Sequence, residues 1–181
     1  MANTIGVVFV GLNGAGKSTL AKYVGKKLEF DVLEVEDFWF ETPYDYQNPR
    51  KSPEVSQLML DTIEQSSNGF IIAGNISNLS KKIEAYLSLV VYVDVAKEVR
   101  VQRVIQREKN RYGFLEKGTD LYNERQDFLT FVQARTPDTI FSWIERTNIP
   151  MLKIDGTNTF EQNTSIIQQK LLTLSYSTEM K

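Results

Sequence analysis

Ile5-Gly-Val-Val-Phe-Val10 runs straight into Gly11-Leu-Asn-Gly-Ala-Gly-Lys-Ser-Thr19, and the reading of this junction decides the fold. The second stretch fits G-x-x-x-x-G-K-[ST], the pattern of a phosphate-binding loop. The first is short and apolar without interruption by charge, as a strand buried on both faces of a parallel sheet must be. From Lys17 the period changes: Leu20, Val24 and Leu28 recur every fourth residue, which sets them along one face of a helix that starts inside the motif. Strand, glycine loop and helix therefore stand in the order that the chemistry needs.

A triphosphate is held by many backbone N–H groups aimed inward at a helix start. Gly11, Gly14 and Gly16 keep side chains out of its way, and the amides of Asn13 and Ala15 belong to the same wrap. Lys17 is placed to reach the β- and γ-phosphates, the Ser18 hydroxyl to bind Mg2+, and Thr19 to contact a further phosphate oxygen. The expected cofactors are ATP and Mg2+.

The chain has 181 residues, 41% hydrophobic and 24% charged, which fits one domain with a full core. That domain is expected over residues 1–174, with a lid at about 108–121, an acceptor-binding region at about 38–66, and a frayed tail over 175–181. The net charge of −2 argues against a general nucleic-acid or membrane-surface binder, because both need a basic excess. No cysteine is present, which removes disulfides and thiolate chemistry and suits a reducing, cytoplasmic setting. Histidine is absent too, so a general base has to be sought among the carboxylates. The first apolar run lacks a basic lead-in and reads as a core strand, not a signal peptide, and no stretch is long enough to span a bilayer. No protein partner is legible.

Further β-prone runs stand at 32–35, 70–73, 89–93 and 151–154, separated by segments of helical period at about 53–65, 96–111, 121–134, 139–147 and 160–172. Strands alternating with helices imply a five-stranded parallel sheet in a three-layer α/β/α arrangement, with ligands at the carboxyl ends of the strands. The fold class is that of the P-loop NTPases with a short lid.

Three features favour phosphoryl transfer to a small molecule over other uses of such a loop. Glu36-Asp37 follows strand two, where carboxylates face the γ-phosphate; one serves as base and the other holds Mg2+ or the acceptor. Arg103, Arg107 and Arg111 recur at intervals of four after Arg100; cations sharing a helix face repel, so an anionic ligand is expected there, with Glu98 and Glu108 as the competing partners. Phe38, Trp39, Phe40, Tyr44 and Tyr46 lie near Arg50, an arrangement able to clasp a planar or sugar-like acceptor and pair with an anionic group on it.

With these residues in place the chain resembles the nucleotide-kinase-like group of phosphate-loop kinases, which includes adenylate, shikimate, gluconate and nicotinamide riboside kinases. Arg103-Val-Ile-Gln-Arg107 is similar to the Arg-x-x-x-Arg that opens the lid in that group. The resemblance implies that Arg103 stacks on adenine and Arg107 contacts phosphate, with Arg111-Tyr-Gly113 and Gly118-Thr-Asp120 completing the lid and Arg111 closing on the transferred group. Val35-Glu-Asp-Phe-Trp-Phe40 is similar to the run after strand two in riboside and uridine kinases, which implies Glu36 as base and metal contact. Ile154-Asp-Gly-Thr157 resembles the loop over the adenine edge, which implies Gly156 and Thr157 in nucleotide binding. The likeness is nearest to small bacterial adenylate-kinase-like proteins of unassigned acceptor. Adenylate kinase carries an Asp-Gly-Phe-Pro-Arg type segment after strand three; this chain has Ala73-Gly-Asn-Ile76. Gly74 and Asn75 there, with Trp39, Arg50 and the carboxylate pair, are the expected acceptor contacts.

The expected activity is transfer of the γ-phosphate of ATP to a hydroxyl or phosphate of a small molecule, with nucleosides and nucleotides among the candidates. A regulatory nucleotide-binding module or a simple ATPase is the alternative. A GTPase would need Asn-Lys-x-Asp, and an ABC-type ATPase a Leu-Ser-Gly-Gly segment; neither is found.

Overall fold

Alternating strands and helices can bury both faces of a parallel sheet only by crossing over it repeatedly, and the computed structural model follows that logic. It describes residues 4–42, 48–74 and 79–179. Strands β1 (Ile5–Val10), β2 (Asp31–Glu34), β3 (Gly69–Ala73), β4 (Leu87–Asp94) and β5 (Met151–Asp155) form one sheet in the order β2-β3-β1-β4-β5. Every pairing is parallel. The register sets Glu34 beside Ala73 and Asp94 beside Asp155, so all carboxyl ends share one edge.

The helices are α1 (Lys17–Leu28), α2 (Val35–Trp39), α3 (Ser52–Gln65), α4 (Lys81–Glu84), α5 (Lys97–Tyr112), α6 (Asp120–Ala134), α7 (Asp138–Thr147) and α8 (Phe160–Glu179). Alternate strand residues feed two cores, one on each face. Val8, Val10, Phe70, Ile72, Val90 and Tyr92 pack with Val55, Met59 and Ile63 of α3, Ile83 of α4, and Ile140, Trp143 and Ile144 of α7. Val7, Phe9, Ile71, Val91 and Ile154 pack with Leu20 and Val24 of α1 and Ile167 of α8. Each fully buried aliphatic chain of this kind contributes roughly 1.5–3 kcal/mol of transfer free energy. The expected three-layer fold and its five strands are present.

Boundaries differ where chain direction changes. Strand two ends at Glu34 and Val35 opens a helix, because buried Val35 seats that turn under Gly74. The last helix runs on to Glu179, beyond the expected residue 172. A third, small cluster of Val101, Val104 and Val132 with Phe128 and Leu129 joins α5 to α6. Tyr44, Tyr46 and Asn75, singled out from the sequence, lie outside the described residues.

Candidate functional site

The loop turns through Gly16, which takes a left-handed conformation as the N-cap of α1. Gly14 has φ +82°, and a Cβ there would sit 2.1 Å from the Arg100 carbonyl oxygen, a contact that only glycine permits. The loop is thereby pressed against the first turn of α5. This brings the α5 arginines over it.

Around the loop lies a cleft of about 310 Å³ lined by Gly11, Asn13, Gly14, Gly16, Lys17, Ser18, Thr19, Glu36, Gly74, Arg103, Arg107 and Arg135, with Val10, Val104 and Ile140 as its apolar wall. Lys17 Nζ donates to the Leu12 carbonyl at 3.2 Å. Burial, together with the Arg135 and Arg107 guanidiniums, lowers the Lys17 pKa to about 8, against an opposing pull from Glu36. Among the described residues that line the cleft, cations outnumber carboxylates: Lys17, Arg103, Arg107 and Arg135 against Glu36.

A second cleft of about 280 Å³ adjoins the first, lined by Ala15, Gly16, Thr19, Leu20, Val93, Arg103, Gly156, Asn158, Phe160 and Asn163. Arg103 walls both. Its guanidinium donates to the carbonyls of Gly14, Ala15 and Gly156 at 3.5, 3.4 and 3.2 Å, which fixes its plane between the loop and the turn after β5. That turn is tied by Asp155, whose carboxylate accepts from the Thr157 amide and hydroxyl at 2.7 and 2.6 Å; those two bonds hold its pKa below the usual range. Asn163, only 1% exposed, donates to the Asp155 carbonyl at 2.8 Å. A cleft beside a fixed guanidinium suits a nucleobase.

The structure brings together the loop residues, Glu36, Gly74, Arg103, Arg107 and Gly156, and it separates others from them. Glu36 and Asp37 were both expected to face the phosphate. On a helical turn adjacent residues point about 100° apart, and only Glu36 lines the cleft. Arg50 is not at the cleft: it donates to the Phe38 and Asp37 carbonyls at 3.0 and 3.5 Å and pairs with Glu41 and Glu54, so it braces α2 against α3. Phe38 and Trp39 pack on the first core. Arg111 follows a further turn along α5, its guanidinium 6.0 Å from the Tyr112 ring, outside both clefts. Thr157 works on Asp155 and lies outside the residues lining the second cleft.

Arg135 was missed. It follows α6, and Arg100, 3% exposed, grips the end of that helix by donating to the Val132 and Arg135 carbonyls at 3.0 and 3.2 Å, where the helix dipole favours a cation. The Arg135 guanidinium donates to Asn13 Oδ1 at 2.9 Å. The sequence signal was slight: an arginine directly after a helix and before Thr136-Pro137. Asn158 and Asn163 carried no signal by spacing at all.

The AAA domain family matches this chain over residues 7–124, a span that covers the loop, Glu36, Arg103 and Arg107 and stops short of Arg135. Among curated proteins, the uncharacterized protein YqaC of Bacillus subtilis is 24% identical over 156 residues, covering 81% of this chain and 85% of that protein. Two solved structures of deoxyadenosine kinase from M. mycoides are similar in fold. One, with products dCMP and a flexible dCDP bound, has TM-score 0.53 and 16% identity over 93% of this chain and 99% of that one. The other, with bound dATP, has TM-score 0.53 and 14% identity over 92% and 98%. The fold is that of the nucleotide-kinase-like P-loop proteins. The chain belongs to the AAA domain family.

Proposed function

We propose that this AAA domain protein is an ATP-dependent phosphotransferase that moves the γ-phosphate to a hydroxyl or phosphate oxygen of a small molecule, nucleosides and nucleotides being candidate acceptors. The observation that carries the reading is Glu36, a carboxylate lining the same cleft as Lys17, Ser18 and Arg107. A carboxylate in that place can take the proton of an acceptor hydroxyl as well as hold a metal ion, and in a chain without histidine it is, among the described residues, the general base within reach of the cleft.

The triphosphate lies along the loop amides with Lys17 beside its β- and γ-groups, and the base enters the second cleft against Arg103 and Gly156. The bound dATP of one structural neighbour supports an adenine nucleotide. Ser18 and Glu36 are hard oxygen donors in one cleft and fit Mg2+, which takes few protein ligands in kinase sites; among the described residues no cluster of three or more His, Cys, Asp or Glu competes for it. When bound, Mg2+ neutralises phosphate charge. In the transfer the acceptor oxygen forms a bond to the γ-phosphorus as the bridging oxygen to the β-phosphate leaves with ADP. Glu36 takes the proton of an acceptor hydroxyl, and Arg107 offsets charge on the moving group.

The test is phosphate transfer from ATP to a panel of nucleosides, nucleotides, sugars and hydroxy acids, with ATP binding followed by calorimetry. Glu36→Gln should lower transfer by about 10²- to 10⁴-fold while ATP still binds. Transfer that survives Glu36→Gln undiminished overturns the assignment.

A further inference from the structure

We infer that the acceptor carries a negative charge of its own, a phosphate monoester or carboxylate, and that Arg135 is the residue that selects it. The inference rests on the phosphotransferase reading above and narrows its acceptor to one class.

The positive groups of the cleft are not equivalent. Arg103 has its N–H groups on three backbone carbonyls and walls the second cleft as well as the first, so its place is beside the base. Arg107 has Glu108 at 3.5 Å. Lys17 and the loop amides answer the donor phosphates. Arg135 lines the first cleft but not the second, and among the described residues it has no carboxylate partner; its side-chain bond is to the neutral Asn13, and its guanidinium lies 5.6 Å from the half-exposed Phe131 ring, a contact that leaves the net charge uncompensated.

This arrangement is costly without a ligand. Burial and the neighbouring Arg100 disfavour the charged form of Arg135, and Arg135 in turn disfavours the charge on Lys17. A bond that only tied α6 to the loop through Asn13 would need no charge, since a neutral amide could donate it equally well. The backbone of Arg135 is nonetheless held by the buried Arg100, which aims a fixed cation into a space that also holds Glu36, Gly74 and Ile140. A molecule seated there meets a base for its hydroxyl, an apolar wall and a cation for an anionic group. Guanidinium suits phosphate and carboxylate alike, and the test separates the two.

The experiment saturates the full chain with Mg2+ and a non-hydrolysable ATP analogue, then titrates it with inorganic phosphate, with acetate and with uncharged ribose, following the Asn13 side-chain amide by NMR. Saturable shifts with phosphate or acetate, and none with ribose, are expected; the tighter anion names the group. Arg135→Gln, which can keep the bond to Asn13, should weaken the anion by about tenfold or more, and Arg135→Lys by less. Absence of saturable anion binding, or anion binding indifferent to Arg135→Gln, overturns the inference and leaves the phosphotransferase reading standing. Loss of analogue binding in Arg135→Gln and Arg135→Lys alike assigns Arg135 to the donor and also overturns it. Failure of the wild-type chain to bind the analogue removes both.

Discussion

The phosphate cleft and the contact between α4 and α7 use the same kinds of side chain to opposite ends. At the α4–α7 contact Glu84 accepts from Trp143 Nε1 at 2.8 Å and from both ends of the Arg146 guanidinium at 2.6 and 3.2 Å. Both carboxylate oxygens have partners and the two charges cancel. In the cleft, Lys17, Arg103, Arg107 and Arg135 stand with Glu36 as the one carboxylate of the lining among the described residues, and burial with the neighbouring guanidiniums lowers the lysine pKa. The chain balances charge closely in one place and leaves it unbalanced in the other, and on the proposed function a ligand supplies the missing anions there.

The sharpest way to break the contrast is Lys17→Met. Transfer from ATP should fall by about 10³-fold, whereas the ligand-free chain should become more heat-stable, by about 1 kcal/mol, because a half-buried cation set against two arginines is removed. Transfer assays and calorimetric melting measure the two arms. A variant that loses stability along with activity would show the cleft to be as self-satisfied as the α4–α7 contact. Glu84→Gln tests the other side: it should destabilise the fold by about 1–3 kcal/mol in denaturant titrations while ATP-analogue binding is kept. The smallest effect is the acid dependence of the same contact. The hydrogen bond from Arg146, with help from Trp143, holds the Glu84 pKa below its ordinary 4.5. Its stabilisation is therefore complete above that value and is lost as the pH falls through the folded-state pKa. The acid limb of stability, followed by Trp fluorescence, should be flatter in Glu84→Gln than in the wild type.

The strand–loop–helix unit was legible because its signals are local: an apolar run, fixed glycines and a change of period between Val10 and Leu20. The parallel sheet followed from the alternation alone. Glu36 was also legible, yet its separation from Asp37 was not, since it depends on α2 replacing the end of β2, which Val35 settles through a contact with Gly74. Arg50 misled for the opposite reason. Its neighbours in sequence suggested a ligand clasp, but its partners are Glu41, Glu54 at i+4 and the carbonyls of residues 37 and 38; the i,i+4 pair was there to be read, the backbone bonds were not. Arg135 was invisible because it reaches Asn13 across 122 residues of chain, and its aim depends on a bond made by Arg100 to a backbone oxygen. Spacing reveals faces of single elements; it is silent where two distant elements share a guanidinium.

The notch in which Gly14 meets the Arg100 carbonyl has a mechanical meaning. With no room for even a Cβ between them, the loop and the root of α5 are in direct contact, and a residue larger than glycine at position 14 would force them apart. Farther out, Gly113 and Gly118 have positive φ and border open space on either side of Phe114, which is 94% exposed. On the proposed function, a closing stroke over a ligand is expected in this short segment, above a cationic cleft whose loop and α5 root are in contact.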